Sequence, residues 1–199
     1  HYADGSRDKI IYEYDTKGNI ISKTDFDADE EVESREEYGW ENKHMVKKSL
    51  YEYGELVQEE INVFDEHDNL VESTTWTAED GKSKTLNQYD DKNNLVKTLV
   101  YNNDDKLVSK TLYTFNESGN PVGAEYESVR RKSNTTIVYD EKGNAIEQTE
   151  YNGSGEINNQ ALRKFNDHNE VIETTVTIDQ HGMGLNQHYM LTYEYDYYN

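Results

Sequence analysis

The chain has no cysteine and only one proline among its 199 residues. The lack of cysteine excludes disulfide bonds, thiolate nucleophiles and cysteine-ligated zinc. No stretch approaches the run of about twenty apolar residues that a membrane-spanning helix needs. Leu, Ile, Val and Phe are scarce too, numbering 38 together, whereas 17 tyrosines and many threonines favour strands. We therefore expect a folded chain with a thin hydrophobic core.

Basic side chains are also in short supply, with 20 Lys and Arg against 41 Asp and Glu and a formal net charge of −21. Such a surface repels phosphate backbones and anionic lipids, so we expect no nucleic acid partner and no membrane insertion. The chain begins with His1 and Tyr2. We expect that a signal peptide was removed upstream and that the protein is extracellular or at the cell surface.

One short repeat runs along the whole chain. An aromatic residue is followed by Asp or Asn, two variable polar residues, a turn-forming residue, a polar residue and an aliphatic residue. The clearest copies are residues 14–20, 64–70, 89–95, 115–121, 139–145 and 165–171. Weaker copies begin at Phe26, Tyr38, Tyr53, Trp76, Tyr101, Tyr126, Tyr151, Ile178 and Tyr195.

Each repeat predicts one strand and one hairpin turn. Asp or Asn at the first turn position can bond its own backbone, and Gly or Asn three residues later can adopt a positive φ. The segments between turns are too short for stable helices. We predict an all-β fold, an extended antiparallel β-meander of about fifteen hairpin-linked strands. It forms a single β-repeat domain over residues 1–199, of which residues 1–8 are a flexible N-terminal segment.

Alternation along the strands indicates a thin sheet. Neither face of residues 95–101 or 70–76 is cleanly apolar. A sandwich requires one dry face per sheet, so we expect a largely single-layer sheet that is twisted or curled. We also expect the aromatic residues that open the repeats to line both rims of one face.

The repeats resemble the tyrosine-aspartate (YD) repeats of the Rhs family, whose core is Tyr-Asp, two variable residues, Gly, Arg or Asn, and an aliphatic. They are still more similar to small secreted repeat proteins of gut Bacteroidetes. Asn stands here where Rhs repeats usually carry Arg, and the self-cleaving terminal segment of Rhs shells is missing. The resemblance implies a secreted or surface β-repeat protein and not a complete toxin-enclosing shell.

No catalytic residue or cofactor site is predicted, because acidic pairs are so common in this chain that none stands out, and a thin sheet offers no pocket that would raise a pKa. We therefore expect a protein that is not an enzyme. A weak calcium candidate consists of Asp25, Asp27, Asp29 and Glu36, at positions 1, 3, 5 and 12 of a loop that lacks the required Gly. The same residues also fit a charged strand and turn.

The exposed aromatic residues are the candidates for ligand binding. They are Trp76, Tyr101, Phe64, Tyr89 and Trp40. Their rings can stack on a sugar or on a protein partner at the cell surface, but cross-strand aromatic pairs also stabilise sheets. Two functions stay open, a binding module and a structural spacer without a specific ligand. A glycan-active enzyme ranks third.

Overall fold

A computed structural model describes residues 9–179 and 186–197 of the chain. The described residues form fifteen strands and no helix, so no helix that could cross a membrane is found among them. The strands are β1 (Lys9–Tyr14), β2 (Ile20–Phe26), β3 (Val32–Glu41), β4 (His44–Glu52), β5 (Glu55–Phe64), β6 (Leu70–Thr77), β7 (Gly81–Tyr89), β8 (Leu95–Tyr101), β9 (Leu107–Phe115), β10 (Pro121–Ser128), β11 (Lys132–Tyr139), β12 (Ala145–Asn152), β13 (Ile157–Phe165), β14 (Val171–Ile178) and β15 (Gln187–Thr192).

The fifteen strands form one sheet in the order of the sequence. The predicted antiparallel meander is therefore confirmed. The segment 1–8, expected to be flexible, lies outside the described residues. The backbone groups into two compact units. Among the described residues, unit 1 comprises 9–89 and Thr98–Val108, and unit 2 comprises Asp90–Lys97, 109–179 and 186–197.

The first residue of a repeat turn holds the turn together, as the sequence predicts. Asp15 Oδ1 accepts hydrogen bonds from the backbone N–H groups of Lys17 at 2.8 Å and Asn19 at 2.9 Å. Asp15 Oδ2 accepts a third from the Asn19 side-chain amide at 2.8 Å. Gly18, the fourth residue of the turn, has a φ of 88°, which Gly adopts without strain. Asp65, Asp90 and Asp140 make the same three bonds.

Two repeats end at places that differ from the sequence prediction. β3 continues through Tyr38 to Glu41, and β4 ends just before Tyr53. The β4–β5 turn consists of only two residues, Tyr53 and Gly54, with φ of 48° and 85°. Positive φ at both central residues is typical of the tight type I′ hairpin. Tyr38 is therefore inside a strand, and Tyr53 is itself a turn residue.

One extra residue beside a turn reverses the alternation of side chains. In the β1–β2 pair, Tyr14 lies opposite Ile20. The next pair joins Glu13 to Ser22, so Ile21 has no counterpart and forms a bulge. The same shift occurs in the pairs β2–β3, β4–β5, β5–β6, β11–β12 and β13–β14.

The expectation that the aromatic residues line both rims of one face is therefore wrong. Ser73 lies opposite Thr85, so these two side chains share a face. Trp76 lies three residues beyond Ser73, whereas Tyr89 lies four beyond Thr85. Because side chains alternate along a strand, the rings of Trp76 and Tyr89 point to opposite faces.

The described residues contain no buried hydrophobic side chain, in line with the thin core expected from composition. The side chains that are buried are small and polar: Ser22, Ser49, Asn62, Thr149 and Thr174. They lie within strands, and Thr149 donates a hydrogen bond to Glu147 at 2.9 Å. Ladder hydrogen bonds and cross-strand pairs therefore take the place of an apolar interior.

Candidate functional site

Four aromatic residues of unit 1 recur every 25 residues at one rim of the sheet: Phe26, Tyr51, Trp76 and Tyr101. They lie at or next to the ends of β2, β4, β6 and β8. We call these four residues the ring row. Since neighbouring strands lie about 4.8 Å apart, rings on every second strand lie roughly 9.6 Å apart.

The strand register places the ring row on one face. Residues directly opposite each other on paired strands share a face, and so do residues two apart on one strand. Thr24 lies opposite Arg35, and Arg35 lies opposite Tyr51. Ser49, two residues before Tyr51, lies opposite Glu59, which lies opposite Trp76. Phe26 shares the face of Thr24, two residues before it. The ammonium of Lys84, on the same face as Trp76, lies 5.6 Å from the centroid of the Tyr101 ring.

Each ring of the row has a basic residue of an adjacent strand beside it. The Lys9 ammonium lies 4.9 Å from the centroid of the Phe26 ring. Arg35 lies opposite Tyr51, Lys82 lies opposite Trp76, and Lys84 covers Tyr101. Cations near aromatic rings are attracted by the ring quadrupole. The ring row is therefore a band of alternating aromatic and basic groups on an otherwise acidic chain.

The basic groups of this band differ in their acidic partners. Arg35 lies 3.1 Å from Glu37. Glu59, on the β5 side of Trp76, lies 2.6 Å from the Lys47 ammonium, and this bond raises the pKa of Lys47. Lys82 and Lys84 form no ion pair within residues 9–179 and 186–197. We call Trp76, Lys82, Lys84 and Tyr101 the Trp76 patch.

A shallow groove of about 630 Å³ adjoins the other end of the ring row. Its lining includes Phe26 and Tyr51 of the row, together with Ile11, Val32 and Arg35. Ile11 and Val32 are 38% and 43% exposed, so apolar surface is open to solvent here. Sequence reasoning missed this groove, although the spacing of 25 residues between the rings was a signal for it.

The structure brings together two of the five aromatic ligand candidates, Trp76 and Tyr101. Phe64, Tyr89 and Trp40 belong to the opposite face. Phe64 stacks on His44, with ring centroids 4.2 Å apart. The Tyr89 hydroxyl donates to the carbonyl of Leu70 at 3.1 Å, and Trp40 Nε1 donates to the carbonyl of Ile20 at 2.8 Å. These three rings have structural contacts within the sheet.

Asp27 and Asp29 of the calcium candidate lie in the β2–β3 turn. Asp27 Oδ1 accepts hydrogen bonds from the backbone N–H groups of Asp29 and Glu31, both at 2.9 Å. This is the arrangement of the other repeat turns. The Asp27 carboxylate therefore closes the turn.

Asp25 and Glu36 of the same candidate pair with lysines instead. The Lys23 ammonium lies 2.8 Å from Asp25 and 3.6 Å from Glu36. Burial opposes ionisation of Glu36, but hydrogen bonds from Lys48 and Tyr38 outweigh it and lower the pKa of Glu36. The part of the chain that the structure describes contains no group of three or more His, Asp or Glu side chains that could hold a metal ion. The four candidate ligands are not brought together.

The chain was compared with family models, with curated proteins and with solved structures. Residues 72–198 match a family model described as "Uncharacterised protein". No curated protein matches the chain in sequence. A porin-like protein from Bacteroides uniformis is similar in structure, with 9% identity, a TM-score of 0.51 and coverage of 94% of this chain and 90% of that one. At this identity the likeness concerns the fold alone.

A second solved structure, a protein with unknown function from Bacteroides fragilis, is 10% identical over 63% of this chain and 94% of that one. Its TM-score of 0.17 supports no structural argument.

Proposed function

The chain belongs to the family described as "Uncharacterised protein", and we propose that it is a non-catalytic β-repeat module that binds a glycan or a protein on the ring row of unit 1. The observation that carries this proposal is the recurrence of four rings on one face, each beside a basic residue. A secreted or cell-surface location is part of the proposal. It rests on the similarity of the repeats to YD repeats and to secreted repeat proteins.

Regular spacing favours a ligand that is itself extended. Flat apolar rings at equal intervals can each contact one segment of a sugar chain or peptide that crosses the strands. Trp76 is the most exposed side chain of the row at 36%, and it offers the largest face. Charged and polar groups between the rings supply the hydrogen bonds that orient such a ligand.

The carboxylates support a role without catalysis. A general acid in glycoside hydrolysis requires a raised pKa. In the described residues, each carboxylate whose pKa departs from its usual value has it lowered, because hydrogen bonds and nearby cations favour the ionised form. These groups suit turn formation and ion pairing.

A structural spacer without a specific ligand is the second candidate. It is favoured by the cations of Lys9 and Lys84, which already cover the rings of Phe26 and Tyr101 within the sheet. On this alternative the rings only stabilise cross-strand pairs, and loss of any one ring lowers stability without affecting a ligand.

Binding to a glycan and peptide array distinguishes the two candidates. We expect wild type to bind and Trp76→Ala to bind about tenfold more weakly, the effect of losing roughly 1.4 kcal/mol of ring contact. Tyr14→Ala is the matched control, because Tyr14 is an exposed ring of unit 1 on the opposite face, 57% accessible. It should bind as wild type does.

Circular dichroism and melting curves must show that all three proteins fold equally well. If wild type binds nothing, or if Trp76→Ala retains full binding, the ring row is structural and the spacer replaces the binding module.

A further inference from the structure

We infer that the ligand of the ring row is an anionic polysaccharide, whose acidic groups are bound by Lys82 and Lys84 between the rings of Trp76 and Tyr101. This inference rests on the proposed binding function and names its ligand class. It is carried by the geometry and the charge of the Trp76 patch.

The patch is built on the successive strands β6, β7 and β8, and its four residues belong to unit 1. Lys82 lies directly opposite Trp76 in the β6–β7 pair. Lys84 is two residues further along β7, so its side chain is on the same face, and its ammonium lies 5.6 Å from the Tyr101 ring of β8. A strand with two lysines is thus flanked on each side by a strand with an aromatic ring. A sugar ring that stacks on Trp76 or on Tyr101 would therefore lie next to the side chain of Lys82 or of Lys84.

A side chain of the β8–β9 turn holds the beginning of β7. The backbone N–H of Lys82 donates to Asn103 Oδ1 at 3.0 Å. A Cβ at Gly81 would lie only 3.0 Å from the same oxygen, and Gly81 has a φ of 74°. The hydrogen bond and the close approach attach the start of β7 to the β8–β9 turn.

Charge favours an anion at this place. Carboxylates outnumber basic groups two to one in the chain. Lys23, Arg35, Lys43, Lys47 and Lys48 of unit 1 have an acidic partner, whereas Lys9, like the exposed turn residue Lys17, has no ion pair among the described residues. Lys82 and Lys84 also form no ion pair among the described residues, and they lie two residues apart on one face of β7, so their like charges repel each other. A carboxylate or sulfate between them relieves that repulsion and gains charge-assisted hydrogen bonds.

The occupant that combines these features is a sugar chain with acidic substituents. A uronic acid or sulfated sugar presents an apolar ring face for stacking and an anionic group at the ring edge. Nucleic acid fits less well, because duplex DNA carries one charge per about 1.7 Å and the net charge of −21 repels it. At physiological salt the screening length is about 8 Å, so the carboxylates of distant turns do not oppose a sparsely charged chain.

Titration calorimetry at physiological salt with two pairs of polymers tests the inference. Polygalacturonate is compared with its highly methyl-esterified form, which keeps the backbone and loses the charge. A dextran sulfate with a low degree of substitution, and therefore sparse charge, is compared with dextran, which separates sulfate from carboxylate as the bound group. We expect wild type to bind at least one charged polymer at least tenfold more tightly than its neutral counterpart.

The double variant Lys82→Gln/Lys84→Gln should lose at least tenfold in affinity for that charged polymer. The control Lys17→Gln/Lys92→Gln makes the same change of charge at two exposed turn tips and should bind as wild type does. Equal effects of the two double variants would overturn the inference, because affinity would then follow net charge alone.

The outcomes separate the inference from the function on which it rests. Equal binding of charged and neutral polymers, with a loss in Trp76→Ala, overturns the anionic ligand and keeps the binding module. No binding of either charged polymer also overturns the anionic ligand. If the array shows no ligand either, the binding function falls with it.

Discussion

At the scale of single residues, the first Asp of the repeat turn has the clearest physical role. In the turn that begins at Asp90, hydrogen bonds from the side chain and the backbone N–H of Asn94 lower the pKa of the Asp90 carboxyl. In the other three turns, hydrogen bonds from the Asn four residues after the Asp have the same effect: they lower the pKa of Asp15, Asp65 and Asp140. The ionised form is the one that closes each turn, so turn stability is linked to pH.

Replacement of Asp90 by Ala should lower the melting temperature at pH 7, because three hydrogen bonds that close the β7–β8 turn are lost. Asp91→Ala is the matched control, since it removes the same charge from the exposed neighbouring position. Thermal unfolding of both variants measures the difference. An equal shift in both would show that the effect is one of net charge and not of the turn.

The same carboxylates predict how stability changes in acid. Their pKa is lower in the folded than in the unfolded chain, so their contribution is complete above pH of about 3.9, the ordinary Asp pKa. It is lost as pH falls through the lower, folded value. Carboxyl chemical shifts measured by NMR against pH should give midpoints for Asp15, Asp65, Asp90 and Asp140 below those of an Asp peptide. Midpoints at the peptide value would contradict the turn geometry.

At the scale of strands, the backbone carbonyl at the start of a strand has no partner in the ladder of the next strand pair. An aromatic side chain donates a hydrogen bond to it instead. The Tyr139 hydroxyl donates to the carbonyl of Pro121 at 2.9 Å. The β10–β11 pairing begins only at Gly123, so Pro121 has no ladder partner there. Trp40, Tyr89 and Tyr195 make the equivalent bond to Ile20, Leu70 and Val171. The repeat therefore includes a side chain that closes the ladder at the rim.

Replacement of Tyr139 by Phe should lower the free energy of unfolding by about 0.5–1.5 kcal/mol, the net contribution of one hydrogen bond. The ring and its packing remain, so the change isolates the hydroxyl. Tyr113→Phe, in β9 of the same unit, removes a hydroxyl that does not take part in such a bond. Urea unfolding measures both variants, and an equal loss in each would contradict a specific role for the bond to Pro121.

At the scale of the whole molecule, charge and exposed sheet edges act against each other. β1 is at one edge of the strand order and all of its residues are exposed, with Ile10 51% and Tyr12 45% accessible. Unpaired edge strands with apolar side chains tend to pair between molecules. The net charge of −21 opposes this at neutral pH, because like-charged molecules repel each other.

Acidification towards the isoelectric point of about 4.5 should cause reversible association, measured by light scattering. The turn carboxylates are still ionised at that pH, so association should precede unfolding. Ile10→Lys, which adds a charge at the edge, should reduce association. Ile61→Lys is the control, because Ile61 is similarly exposed at 42% but lies on the interior strand β5. Unchanged monodispersity at pH 4.5 would contradict this account.

The sequence by itself determined the strands, their turns and their order, because these depend on local chemistry. An Asp bonds to backbone two and four residues away, and a short hairpin makes each strand pair with the next. Where the turn residues changed, as at Tyr38 and Tyr53, the predicted strand ends were misplaced. The sequence also proposed Trp76 and Tyr101 as ligand candidates from their place in the repeat, and the structure puts both rings on one face.

Only the tertiary structure decided which rings share a face and which charges lie beside them. A bulge shifts register by one residue, and a shift of one residue moves a side chain to the other face. This is why Tyr89 is separated from Trp76, and why Lys82 and Lys84 lie beside Trp76 and Tyr101. Partners on neighbouring strands are set by that register, which a pattern along one strand does not contain.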